Sequence, residues 1–77
     1  MTPDRVVDAR GLPPPEPMEL ALQALELRRP GEAVRLLIHR QPYPLYELLA
    51  AQGYAYHTRS LADGCYEIII RAAGTDV

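Results

Sequence analysis

The chain has 77 residues, 48% of them apolar, and a net charge of −2, which is enough for one hydrophobic core and no second one. Its eight cations are all arginine, spread from Arg5 to Arg71 among ten acids, and this pattern lacks the concentrated basic footprint of a nucleic-acid binder. No apolar run has bilayer length or signal-peptide form, and a lone cysteine cannot close an internal disulfide, so a cytoplasmic protein without membrane association is expected.

Arg5–Ala9 is a short β-branched run that stops at Arg10-Gly11, and is read as strand 1. The proline run Leu12–Pro17 then forms an extended lead-in, with Pro15 and Pro17 opening helix 1, since proline is tolerated only in a first helical turn. Met18, Ala21, Leu22 and Leu25 fall at i, i+3, i+4 and i+7, one helical face, widened by Leu20, Ala24 and Leu27. Arg28 and Arg29 are placed in the last turn, where cations suit the helix dipole, and Pro30-Gly31 stops the helix. Glu32–His39 is strand 2, apolar enough to be central in a sheet. Gln41–Tyr43 is a loop, Pro44 a first helical residue, and Leu45, Leu48 and Leu49 the inner face of helix 2, which Gly53 ends. Tyr54–Leu61 and Cys65–Arg71 are strands 3 and 4, joined at Ala62-Asp63-Gly64, a strong hairpin signal. Gly74–Val77 is expected to fray, leaving one domain over residues 1–77 with an ordered core of about 5–72.

The order β-α-β-α-β-β predicts an α+β two-layer sandwich, two helices covering one face of a four-stranded sheet, with strands 1 and 2 parallel. The uncovered face is expected to carry some of Tyr54, Tyr56, Ile68, Ile70 or their neighbours, an aromatic and aliphatic patch that would suggest a protein contact. Half-buried packing is the simpler role for each of those residues taken singly.

Val7-Asp8-Ala9-Arg10-Gly11-Leu12-Pro13-Pro14-Pro15-Glu16-Pro17 resembles the signature of TusA/SirA-like sulfur carriers. There, a strand ending in Leu-Asp leads to Gly-Leu, one residue, then Cys-Pro-x-Pro at a helix start. Pro30-Gly31-Glu32 and Gly53-Tyr54 fit later landmarks, so the resemblance spans roughly Val6 to Arg71. It implies a mixed sheet of order 1-2-4-3 with strand 4 antiparallel to the others. The Gly-Leu-Pro-Pro-Pro-Glu-Pro run, with Pro44-Leu45-Tyr46 before helix 2, is similar to a TusA-related branch that lacks the motif cysteine.

That cysteine falls on Pro14. A thiol at a helix N-terminus ionises readily against the positive dipole end and its unpaired amides. Pro14 offers neither thiol nor N–H, Pro15 and Pro17 remove two more donors, and Glu16 places a carboxylate where an anion would bind. Sulfur transfer by the family's route is not expected.

Cys65 is the only thiol. With strand order 1-2-4-3 it opens strand 4 near the end of strand 2, about 4.8 Å from a neighbouring strand, so it could approach His39 as a nucleophile pair. A small buried hydrophobe is the alternative. His39 and His57 lie on strands 2 and 3 with strand 4 between them, about 10 Å apart, so no metal site is expected, and no cofactor.

Asp8, Arg10, Glu16, His39, Arg40 and Tyr43 should gather where strands 1 and 2 end and both helices begin, beside Pro14, Pro15 and Pro17. Either a recognition surface or loop-fixing pairs, Asp8–Arg10 or Glu16–Arg40, would account for them. The prolines either stiffen the loop or present a rigid surface to a partner. The leading expectation is a non-catalytic module, a monomer or weak homodimer, that docks a protein through this edge. The alternatives are a sulfur or thiol carrier using Cys65, and, weakest given the acidic chain, an RNA-binding domain on a fold shared with a translation factor.

Overall fold

In the computed structural model, which describes residues 4–72, six elements follow in the expected order. They are β1 (Arg5–Asp8), α1 (Glu16–Leu27), β2 (Val34–Ile38), α2 (Tyr43–Ala51), β3 (Tyr54–Ser60) and β4 (Tyr66–Ala72). The frayed tail expected at Gly74–Val77 lies outside the described residues. The strands form one mixed sheet of order β1-β2-β4-β3, with β1 parallel to β2 and β4 antiparallel to both neighbours.

The core forms where the apolar alternates of β2 and β4 meet. Val34 lies opposite Ile70, Leu36 opposite Ile68 and Ile38 opposite Tyr66. Paired residues share a face of the sheet. On that face Ala21, Ala24 and Leu25 of α1 and Leu45 and Leu49 of α2 close over the strands. Glycines end α2 and shape the β3–β4 turn: Gly53 and Gly64 have φ of 82° and 86°, a left-handed conformation that a side chain disfavours. The turn is closed by the Leu61 amide donating to the Cys65 carbonyl at 2.8 Å, so the strands stop one residue short of Leu61 and Cys65.

Three expectations are corrected. Helix α1 ends at Leu27, and Arg28 is already extended, so neither Arg28 nor Arg29 lies in its last turn. The Leu27 carbonyl instead accepts from Nη2 of Arg5 at 3.3 Å, a cation reaching across from β1. Glu32 holds that arginine through Nε at 2.9 Å and also accepts from the Arg29 amide at 3.2 Å. Helix α2 begins at Tyr43, which puts Pro44 at its second position, where a missing N–H still breaks no helical bond.

The third correction concerns the open face. Ile68 and Ile70 are fully buried on the helix side, and Tyr56 stacks on Tyr46 of α2 on that same side. Period-two alternation therefore gives the uncovered face to Val6, Asp8, Arg35, Leu37, Ala55, His57, Arg59, Glu67, Ile69 and Arg71. It is a charged and aliphatic surface without tyrosine.

Leu36 has no exposed surface and sits at the centre of this packing. Leu36→Ala should cost about 2–5 kcal/mol of unfolding free energy, read as a lower urea midpoint with unchanged slope. Val6→Ala, on the open face, should stay within about 0.5 kcal/mol of the parent.

Candidate interaction site

The loops leaving β1 and β2 both run through prolines into a helix, and the consequence is the same at each. Pro15 caps α1 with no side-chain hydrogen bond, after a cis Pro14–Pro15 peptide. A helix start usually leaves its first amides unpaired and able to hold an anion. Here the Glu16 amide donates to the Pro13 carbonyl at 3.1 Å, Pro17 has none, and the Glu19 amide donates to the Pro15 carbonyl at 3.1 Å. Met18 carries the one first-turn amide without a backbone acceptor among the described residues. In α2 the Tyr43 amide donates to Gln41 at 3.1 Å, and the Leu45 and Tyr46 amides share the Pro42 carbonyl at 2.9 and 3.1 Å. Pro44 has no donor. Neither helix offers an anion cradle.

What the two starts build is an apolar groove of about 240 Å³ between them. Pro14, Pro15 and Pro17 line one side, and Pro42 and Pro44 the other. Leu12, Met18 and Ile38 complete the apolar lining, with His39 and Arg40 supplying polar groups. Pro14, Pro15, Glu16 and Arg40 are exposed, Pro17 is buried, and His39 is half-buried.

Asp8 and Arg10 stand beside this groove as a closed unit. Arg10 donates through Nε and Nη2 to the two oxygens of Asp8, both at 2.9 Å, and its amide adds a third bond at 3.1 Å. Arg10 Nη1 also lies 3.6 Å from Asp63, linking the loop after β1 to the β3–β4 turn. The arginine hydrogen bonds hold the Asp8 carboxyl down at about 2, and the same pairing keeps Arg10 protonated beyond its ordinary range. The Gly11 amide donates to Nδ1 of His39 at 3.2 Å, which ties the loop after β1 to the end of β2. The expected Asp8–Arg10 pair forms. No ion pair joins Glu16 to Arg40 among the described residues, and Arg40 is left open on the rim.

Cys65 is half-buried, with its amide bonded to Oδ1 of Asp63 at 3.0 Å. Burial and the Asp63 carboxylate push its thiol upward, and the opposing pull of Arg10 is smaller. That is the reverse of what an activated nucleophile needs. His39 spends Nδ1 on Gly11 and forms no hydrogen bond with Cys65 among the described residues. His39 lies in the bend just past the end of β2 rather than on the strand itself, while His57 is in β3 across β4, and no three His, Cys, Asp or Glu side chains gather as metal ligands among the described residues.

Tyr43 is exposed and opens an aromatic row that the sequence reading did not assemble. It meets Tyr46 edge-on at 5.8 Å, and Tyr46 stacks on Tyr56 at 4.6 Å while its hydroxyl bonds Thr58 at 2.6 Å. The i, i+3 spacing of Tyr43 and Tyr46 was the available signal. Pro42 and Pro44 were equally readable as a second wall of the groove, since they repeat at α2 the prolines that open α1.

Because the folded pKa of Asp8 is depressed, the Asp8–Arg10 pair contributes above the ordinary carboxylate range and is lost as pH falls through about 2. A carbon-detected NMR titration should place the Asp8 carboxyl midpoint near that value, and Arg10→Ala should return it to the ordinary range.

Comparisons with known proteins agree with this architecture. The chain superposes on the crystal structure of a SirA-like protein from Desulfitobacterium hafniense with a TM-score of 0.77 and 26% identity. The match covers 90% of this chain and 97% of that one. No curated protein matches the chain. The profile of a family described as an uncharacterized conserved protein, DUF2249, matches residues 6–72, and the chain belongs to that family.

Proposed function

We propose that this chain is a non-catalytic member of the TusA/SirA-like fold group, from a branch without the motif cysteine, and that it docks a protein partner through the proline groove. One observation carries the reading. By the resemblance Pro14 takes the place of the sulfur carriers' cysteine, and it lines an apolar groove whose flanking helix amides, that of Met18 apart, are occupied or replaced by proline. Such a site recognises an apolar side chain better than it holds a persulfide anion. The prolines fix the walls in advance, which lowers the ordering cost of a contact. Arg40 adds a charged rim for orientation. A reducing cytoplasm, a monomeric or weakly dimeric state and the absence of an enzymatic role complete the reading.

The first test is intact mass after incubation with a cysteine desulfurase and cysteine. Neither wild type nor Cys65→Ser should gain a sulfur atom, while a TusA-like carrier treated in parallel does. Sulfur gained by wild type and lost in Cys65→Ser would transfer the function to the thiol. Docking is tested by affinity capture with wild type and Arg40→Glu, where a specific partner should be retained by the first and depleted by the second. Equal recovery on both would count against the groove.

A further inference from the structure

The open sheet face carries a second surface, distinct from the groove. Glu67 lies on it yet is only 4% exposed. Both of its oxygens are taken: Oε2 accepts from Nε and Nη2 of Arg35, and Oε1 accepts from Nη2 of Arg59 at 2.7 Å. A buried carboxylate costs several kcal/mol unless it is paired and hydrogen-bonded, and this one is. The pairing holds two long cationic side chains across the middle of the face and leaves Nη1 of each without a protein acceptor among the described residues. Arg71, exposed and without an ion pair among the described residues, extends the cluster along β4 opposite Ala55.

Beside the arginines lies an aliphatic zigzag. Val6, 60% exposed, stands opposite Arg35, Ile69 stands on the other side of Arg35, and Leu37 lies diagonal to both. Arg35 thus stands inside the aliphatic frame, while Arg59 on β3 and Arg71 on β4 carry the basic charge beyond it. Three arginines against one glutamate make it net positive in a chain whose net charge is −2. Asp8, at the end of the β1 row, is neutralised by Arg10.

We propose that this face docks an acidic amphipathic helix of a partner protein, apolar side chains on Val6, Leu37 and Ile69 and carboxylates on Arg35, Arg59 and Arg71. Four strands about 4.8 Å apart span about 14 Å, which accommodates a helix of about 10–12 Å diameter. The charge matches a carboxylate stripe, and the arginines held by Glu67 lose little freedom on binding. An RNA strand fits less well. The chain has no Phe or Trp, and its five tyrosines lie on α2 or on the helix side of the sheet, so no tyrosine platform for bases exists here.

The test is fluorescence anisotropy on the full chain with a labelled synthetic helix of about five turns, one face leucine and its flank glutamate. Saturable binding is expected, with affinity reduced about tenfold or more by Arg71→Glu. Arg71 has no ion pair among the described residues, so that variant should keep the parent circular dichroism and urea midpoint. A matched helix with lysine for glutamate should not bind, and Arg40→Glu should leave binding unchanged. No binding, equal binding of the lysine helix, indifference to Arg71→Glu, or sensitivity to Arg40→Glu would each overturn the proposal. So would displacement of the acidic helix by a uridine 20-mer RNA at lower concentration, or a self-associated wild type that Arg71→Glu makes monomeric. The groove reading is untouched by any of these results except sensitivity to Arg40→Glu, which would move the acidic helix to the groove.

Discussion

The antiparallel register of β2 on β4 governs both faces of the molecule. Leu36 opposite Ile68 and Val34 opposite Ile70 put the large aliphatic side chains on one side, where α1 and α2 cover them. The same register puts Arg35 beside Ile69 and Leu37 beside Glu67 on the other. A slip of one residue would exchange the sets, burying two charged residues under the helices and exposing the isoleucines. The core therefore fixes the open face as firmly as it fixes itself, and the Glu67 cluster depends on packing it never touches.

At the ends of the strands the governing constraint is the chemistry of proline. Two helix starts point toward one groove, an arrangement that in a thiol carrier would lower the pKa of a cysteine and hold an anion. In this chain Pro17 and Pro44 remove donors, and carbonyls of Pro13, Pro15, Gln41 and Pro42 occupy all those near them except the Met18 amide. The helix dipoles persist, but a single open amide is too few to cradle an anion. Cys65 does not compensate, since burial and Asp63 raise its thiol rather than activating it.

The element order, the hairpin and the stop of α2 at Gly53 were legible because each rests on a local rule. The prolines at 14, 15 and 17 also carried their meaning locally, and they predicted the loss of an anion site. The facing of β4 was not legible in the same way. Ile68, Ile69 and Ile70 run together, so hydrophobicity alone does not say which alternate is inside. Glu67 and Arg71 mark the outer parity, but Glu67 is itself buried, and its burial depends on arginines from β2 and β3 that only the register brings together. The helix capped by Arg5 was hidden for a similar reason. A cation from β1 serves the α1 terminus across 22 positions of sequence, while the nearby Arg28 and Arg29 lie beyond the last turn.

The Asp8–Arg10–Asp63 cluster joins the two surfaces. Asp8 ends the β1 row of the open face, where an unneutralised carboxylate would stand beside Leu37 and weaken the positive field of the arginines. Arg10 neutralises it with a bidentate pair, and in doing so orients the loop that leads through Gly11 to His39 and the groove. Its contact with Asp63 extends the same tie to the β3–β4 turn. One arginine thus removes an acid from the open face while holding the edge of the proline groove. A change at Arg10 should disturb both surfaces together, whereas Arg40 and Arg71 lie far enough into one surface each to separate them.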